Sequence, residues 1–415
     1  MIIEGRVFYR GSVRELYLFI DGGVIKDIKL SIDKSQSPNI RFMDRGNIIL
    51  PGFIDIHVHL RDFEQAYKED FYTGTASAAA GGVTVVFDMP NTVPRNNRLS
   101  ILQYRDSVAD KKSVVDYGLY YGLPPNLDEL FGFEDIAIGM KVYPDDLHSY
   151  KIDHISDVMI YNHAKDIVTV FHAEEPDGYI SGDDSPSIER EGIKYIAGYT
   201  KSIGLPTHIT HVTCRSFIFD AKNIYTSLTV DSTPHHIMLS SEDLKYPYGR
   251  VRPPLRDREC VESLVKELNG LIDIYATDHA PHTWEEKMDG FNGFPGLETA
   301  YNVLATLYNK GVLSLNRIVE LYSTNPAIRF KLDNILGYIE VGYLANLTVV
   351  DLYSSVRVDP TKFFSKAKHS PFDGMKLYGR VISTFVRGVE VYNGEDITVK
   401  PGYGVNIKSF KRGFK

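Results

Sequence analysis

His57 and His59 stand one residue apart in Ile-Asp-Ile-His-Val-His-Leu-Arg, at the end of an apolar run. On a strand, residues i and i+2 share a face, so both imidazoles can reach one metal ion. Alone, such a pair reads more readily as two ordinary polar or core histidines. Four further residues change that reading. Lys141 ends an apolar run in Gly-Met-Lys-Val-Tyr, His172 in Phe-His-Ala-Glu, His211 in Thr-His-Ile-Thr-His-Val, and Asp278 in Ala-Thr-Asp-His-Ala-Pro-His. An ammonium has no lone pair to give a metal, but a buried lysine readily becomes neutral. A neutral amine can take up CO₂ as a carbamate, an anion able to bridge two ions. With four histidines and one aspartate, Lys141 therefore points to a binuclear centre. Two divalent metals there would acidify a shared water and polarise a carbonyl oxygen.

Polar residues near these run ends could hold a substrate. Arg61 lies two residues beyond His59, and strand alternation would aim it at the same site. Arg252 stands in Gly-Arg-Val-Arg-Pro-Pro-Leu, and a guanidinium fork matches a carboxylate. Asn91, in Asp-Met-Pro-Asn-Thr, can offer an amide donor. There is no G-x-x-x-x-G-K-[ST] sequence, and no G-x-G-x-x-G follows a strand, which argues against nucleotide-driven chemistry.

The elements that must position these residues follow from pattern. Eight apolar runs span Ile54–His59, Val83–Met89, Asp116–Gly122, Ile136–Tyr143, Val168–Ala173, Thr207–Val212, Leu228–Pro234 and Ile272–Asp278. Each precedes a stretch long enough for a helix. Nearly continuous apolar strands indicate a parallel sheet buried on both faces. Eight β-then-α units are the count of a (β/α)₈ barrel, whose chemistry sits at the C-terminal strand ends; a doubly wound open sheet is the competing architecture. Short strand-like segments at both ends of the chain predict a small β-sandwich domain built from residues 1–48 and 338–415, leaving residues 49–337 for the barrel.

The chain has 415 residues, 43% hydrophobic and 24% charged, as in ordinary globular proteins. Its net charge of −8 offers no general attraction for nucleic acid or an anionic membrane. Two cysteines, Cys214 and Cys260, cannot make a framework and suit a reducing compartment. No apolar run approaches a membrane span, and the expected location is cytoplasmic.

The segments 51–61, 88–92, 171–174 and 276–282, with Gly-Phe-Pro-Gly-Leu-Glu-Thr at 293–299 and the tail from 376 through 404, together resemble the dihydroorotase family of the amidohydrolase superfamily. The similarity runs from about residue 48 to the C-terminus and is greatest to the form fused into the animal pyrimidine-synthesis polyprotein. The resemblance implies two zinc or other divalent ions. His57, His59 and Asp278 would hold one, His172 and His211 the second, and a carbamylated Lys141 and a hydroxide both. It implies that Arg61, Asn91, Arg252 and His282 grip the substrate carboxylate and ring. The implied reaction is the reversible cyclisation of N-carbamoyl-L-aspartate to (S)-dihydroorotate in pyrimidine synthesis. The bridging hydroxide would attack the ring carbonyl, with Asp278 acting as base and then acid. A homo-oligomer and association with aspartate transcarbamoylase are further expectations.

Two departures accompany the resemblance. The loop after the lysine run lacks the threonine that often closes over substrate, and Asp145 or Asp146 could replace Lys141 as the bridge. Two other functions compete with dihydroorotase. One is a sibling cyclic-amide hydrolase, allantoinase or dihydropyrimidinase, which gives Arg61 no carboxylate to pair with. The other is a non-catalytic scaffold.

Overall fold

The computed structural model describes residues 1–33 and 40–413. The chain opens with β1 (Ile2–Tyr9), β2 (Ser12–Asp21), β3 (Val24–Lys29), β4 (Ile40–Phe42) and β5 (Ile48–Pro51). It then enters β6 (Phe53–Val58) through Gly52, where a side chain would collide with Thr84. The middle region supplies β7 (Val83–Asp88), β8 (Asp116–Gly122), β9 (Ala137–Val142) and β10 (Val168–Phe171), then β11 (Thr207–Ile209), β12 (Thr229–Ser232) and β13 (Ile274–Tyr275). Three strands follow near the C-terminus: β14 (Leu347–Arg357), β15 (Lys376–Val386) and β16 (Val389–Tyr392).

The eight apolar runs of the middle region are the strands β6 to β13, hydrogen-bonded in sequence order and all parallel. Every residue of β6 to β10 is buried, as expected for strands covered on both faces. The two ends of this sheet meet. Val58 bridges in parallel to His279, and His59 N donates to His279 O at 2.7 Å. That closure identifies the barrel and sets aside the open sheet. Ile54, Val85, Phe87, Tyr120, Val170 and Ile274 share an apolar cluster that continues onto Phe330, Leu336 and Ile407. Ile407 N donates to Tyr117 O near the start of β8, so the C-terminal segment packs at the N-terminal ends of the strands.

Both termini build the second sheet, in the order β16-β15-β14-β5-β1-β2-β3, with β4 added beside β1. Its pairings are antiparallel except where β1 meets β4 and β5. Since β5 runs almost directly into β6, this sheet is anchored to the first barrel strand.

The cysteines depart from expectation. Cys214 follows β11, Cys260 lies in the helix Arg258–Glu267, and the two are joined by a disulfide with Cα atoms 5.0 Å apart. The 46-residue separation hid a contact made only when these neighbouring barrel units pack. No helix among the described residues is long and apolar enough to cross a membrane.

Candidate metal centre and substrate cavity

A cavity of about 450 Å³ opens at the C-terminal ends of the barrel strands, lined in part by His57, His59, Arg61, His172, His211 and Asp278. His57 Nε2 and His59 Nε2 lie 3.2 and 3.0 Å from the same oxygen of Asp278. These three buried residues form a cluster able to hold a metal ion, with ligand atoms all within 4.8 Å of one another. The imidazole of His57 neighbours that of His211 at 5.3 Å between centroids, and His211 meets His172 edge-on at 4.5 Å. Five residues distant in sequence therefore form one continuous patch.

The donors suit a metal. His57 Nδ1 and His211 Nδ1 are buried without a hydrogen-bond partner. Burial pushes both rings well below the usual histidine range, and neighbouring imidazoles and Lys141 push the same way. Neutral imidazole is the form that ligates, and mixed nitrogen and carboxylate donors fit zinc or a similar divalent ion.

Lys141, next to last in β9, is fully buried, and its Nζ donates to Thr210 Oγ1 at 2.8 Å. Burial lowers its pKa to about 7, against the opposing pull of Asp231 and Asp278. Asp231 also braces this region, accepting from His211 N at 2.6 Å and pairing with His208 Nε2 at 2.8 Å. Asp145 lines the cavity, but both it and Asp146 are engaged by Arg95. They pair with the two terminal nitrogens of Arg95 at 3.0 and 2.6 Å, and Asp146 also accepts from Tyr143 N.

Strand alternation does not place Arg61, because β6 stops at Val58. A left-handed backbone does so instead, with Arg61 at φ 54° and Asp62 and Phe63 following in the same region. His211 (φ 44°) and Asp278 (φ 48°) share this sparsely populated conformation. Such residues cost on the order of 1–3 kcal/mol each and persist only where surroundings enforce them. At Arg61 the contact comes from Arg105, which donates to Arg61 O at 3.0 Å while paired with buried Asp88 at 2.6 Å. The other oxygen of Asp88 accepts from Leu60 N at 2.8 Å.

Asn91 lines the cavity. Its Oδ1 accepts from His59 Nδ1 at 2.7 Å, which leaves Nε2 facing Asp278. Arg252 lines the cavity, but its guanidinium is engaged by Glu174 at 3.0 Å, Asp184 at 2.5 Å and Asp183 O at 3.0 Å. Glu174 in turn lies 2.5 Å from His172 Nε2, so Arg252 steadies a histidine of the patch. His282 reaches Arg61 directly, with Nε2 and Nη2 separated by 3.2 Å.

Arg95, Tyr143, Tyr179 and Glu174 escaped the sequence reading. Tyr143 lies two residues after Lys141 and Arg95 four after Asn91, but neither type signals a cavity without the barrel that brings their loops together. Tyr143 lines the cavity with its hydroxyl buried and unpartnered.

The amidohydrolase family profile matches residues 48–391. Dihydroorotase from Pyrococcus furiosus is 35% identical over 404 residues, covering 97% of this chain and 94% of the relative. Dihydroorotase from Bacillus cytotoxicus is 32% identical, covering 94% and 97%. Among solved structures, L-hydantoinase (dihydropyrimidinase) from Arthrobacter aurescens superposes with a TM-score of 0.88 at 27% identity, covering 97% of this chain and 98% of that one. Dihydropyrimidinase from Brevibacillus agri gives 0.88 at 22% identity, covering 98% of each, and shows the fold alone.

Proposed function

The chain belongs to the amidohydrolase family, among the dihydroorotases, and from that premise we propose that it interconverts (S)-dihydroorotate and N-carbamoyl-L-aspartate. One observation carries the choice over a hydantoinase or dihydropyrimidinase. The buried guanidinium of Arg61 lines the same cavity as the His57, His59 and Asp278 cluster. A buried cation without an anionic partner is costly, and the carboxylate of dihydroorotate supplies that partner. Dihydrouracil and hydantoin do not.

The reading includes two divalent ions, such as zinc. His57, His59 and Asp278 would hold one, His172 and His211 the other, and Lys141 as its carbamate both. The near-neutral amine of Lys141 supports carbamylation. When bound, the metals would supply an acidified water and a polarised carbonyl. The remaining steps fall to the chain. Arg61 and His282 hold the ring carboxylate, Asn91 fixes the ring of His59, and Arg252 steadies His172 through Glu174. Asp278 takes a proton from the attacking water. The ring C–N bond breaks, and Asp278 returns that proton to the departing nitrogen. Cyclisation runs the same steps in reverse.

The proposal extends to the division of the chain into a barrel (49–337) and a composite domain (1–48 and 338–415). It also extends to a cytoplasmic homo-oligomer able to associate with aspartate transcarbamoylase. Its central test is turnover of dihydroorotate by purified protein whose metal content is measured alongside. The expected result is about two ions per chain and preference for dihydroorotate over dihydrouracil and hydantoin. In Arg61→Met, loss of a charge-assisted contact of roughly 1.5–3 kcal/mol should lower kcat/KM by about ten- to a hundredfold with metal retained. Preference for dihydrouracil, or unchanged kcat/KM in Arg61→Met, refutes the assignment.

A further inference from the structure

Lys287 is fully buried in the last turn of the short helix Trp284–Met288. Its partners are carbonyls rather than a carboxylate. Nζ donates to Arg250 O at 2.6 Å and to Phe291 O at 2.9 Å, and it stands 4.4 Å from the centre of the Phe294 ring. A neutral amine has two N–H groups for the two carbonyls, and an ammonium has a third for the ring face. Either protonation state therefore makes the same tie.

The two carbonyls belong to different loops, one following β12 and one following β13. Both loops wall the cavity, through Val251 and Arg252 on the first and Asn292 and Gly293 on the second. The second loop is fixed to the barrel, since Ala280 N donates to Phe294 O at 2.8 Å. Gly293 packs so closely there that a side chain would stand 2.7 Å from Ala280. Arg250 O accepts from Gly293 N as well, at 3.3 Å, so Lys287 supplies the shorter of two bonds that meet at this oxygen. Each loop leads to a contact within the site. Arg252 reaches Glu174, which in turn contacts His172. The carbonyl oxygen of Asn292 lies 2.9 Å from His282 Nε2, and that nitrogen lies 3.2 Å from Arg61 Nη2.

We propose that Lys287 is a positioning residue for substrate binding: by clamping Arg250 O and Phe291 O, it fixes the wall beside His172 relative to the wall beside Arg61. It does not line the cavity and acts only through the two loops. A ring amide carries its carboxylate and its reacting carbonyl at one separation, so both walls must stand at the matching distance. Loops ordered before binding spare the ligand the entropy cost of ordering them. Without the tie that cost returns, and it falls on affinity more than on the chemical step. The inference rests on reading this cavity as the dihydroorotate site.

The test is steady-state turnover of dihydroorotate by metal-loaded Lys287→Met, with metal content and amide hydrogen exchange measured alongside. Methionine keeps the length and the apolar packing but donates to neither carbonyl. KM should rise about tenfold while kcat stays within about twofold and metal content is unchanged. Exchange should quicken in residues 248–253 and 289–294 and stay as it was in β6 to β11. Lys287→Arg is the second variant. It keeps donors for both carbonyls, so its KM should stay within about threefold of the wild type. Unchanged KM in Lys287→Met overturns the inference and leaves the dihydroorotase reading intact. Faster exchange through the whole barrel with loss of metal also overturns it, because the role would then be structural alone. So does a rise in KM for Lys287→Arg as large as for Lys287→Met, since donation to the carbonyls would not be what matters. Failure of the wild-type protein to turn over dihydroorotate sinks the functional reading and this inference together.

Discussion

Lys141 shows how far a single side chain can be reinterpreted by its surroundings. In water its amine is a cation and repels metal, whereas at the buried end of β9 its pKa falls to about 7. There a large share of the amine carries a lone pair at neutral pH, the form that can add CO₂. Lys141→Ala should therefore lose metal and activity together, and a short carboxylic acid in solution should restore part of both by taking the place of the proposed carbamate. Metal analysis and dihydroorotate turnover, with and without the acid, check this. Full activity in Lys141→Ala would require another bridge. Asp145 and Asp146 would then have to leave Arg95, which holds both of them.

At the scale of elements, catalytic geometry depends on the segment that follows β6. This segment carries His59 and Arg61 yet belongs to no strand or helix until Phe63. The backbone oxygen of Arg61 is held by Arg105, which comes from the helix Leu99–Lys112 and pairs with Asp88 at the end of β7. Breaking a buried ion pair from one side strands the other charge, at a cost of about 3–5 kcal/mol. Arg105→Met should lower stability by that order in chemical denaturation. It should also reduce dihydroorotate turnover, because Arg61 loses the contact that holds its backbone. The reverse change, Asp88→Asn, should be similarly damaging, since it leaves the guanidinium without its counter-ion and weakens the acceptor for Leu60 N.

Across the whole molecule, the barrel and the sheet from the termini share a boundary at which Glu298 is a pH-sensitive point. This residue lies in the first turn of the helix Leu297–Asn309 and accepts from Ser365 N at 3.2 Å. Burial raises its pKa from 4.5 to about 8. Between those values the folded chain holds a proton that the unfolded chain has released, so stability falls as pH rises. While that difference persists in full, the slope is about 1.4 kcal/mol per pH unit. Glu298→Gln should remove this contribution and flatten the decline in Tm between about pH 5 and about pH 8, as thermal denaturation across that range would show. An unchanged pH profile would place the titrating group elsewhere.

Much of this architecture was legible in residue order because its determinants are local. The eight apolar runs are the eight barrel strands, and the ligand-capable residues stand at or just beyond their C-terminal ends because β-then-α repetition places them there. The segments at both ends of the chain are strands for the same reason of alternation. Other features depend on contacts between remote segments, which period and composition do not encode. The Cys214–Cys260 bond, the hold of Arg95 on Asp145 and Asp146, and the attachment of Lys68 to Glu286 join residues 46 to 218 positions apart. The aim of Arg61 belongs to this second group too. Alternation pointed it toward the site for a reason that ends with β6 at Val58. What turns it there is a strained backbone, stable only because the barrel brings Arg105 and Asp88 up behind it.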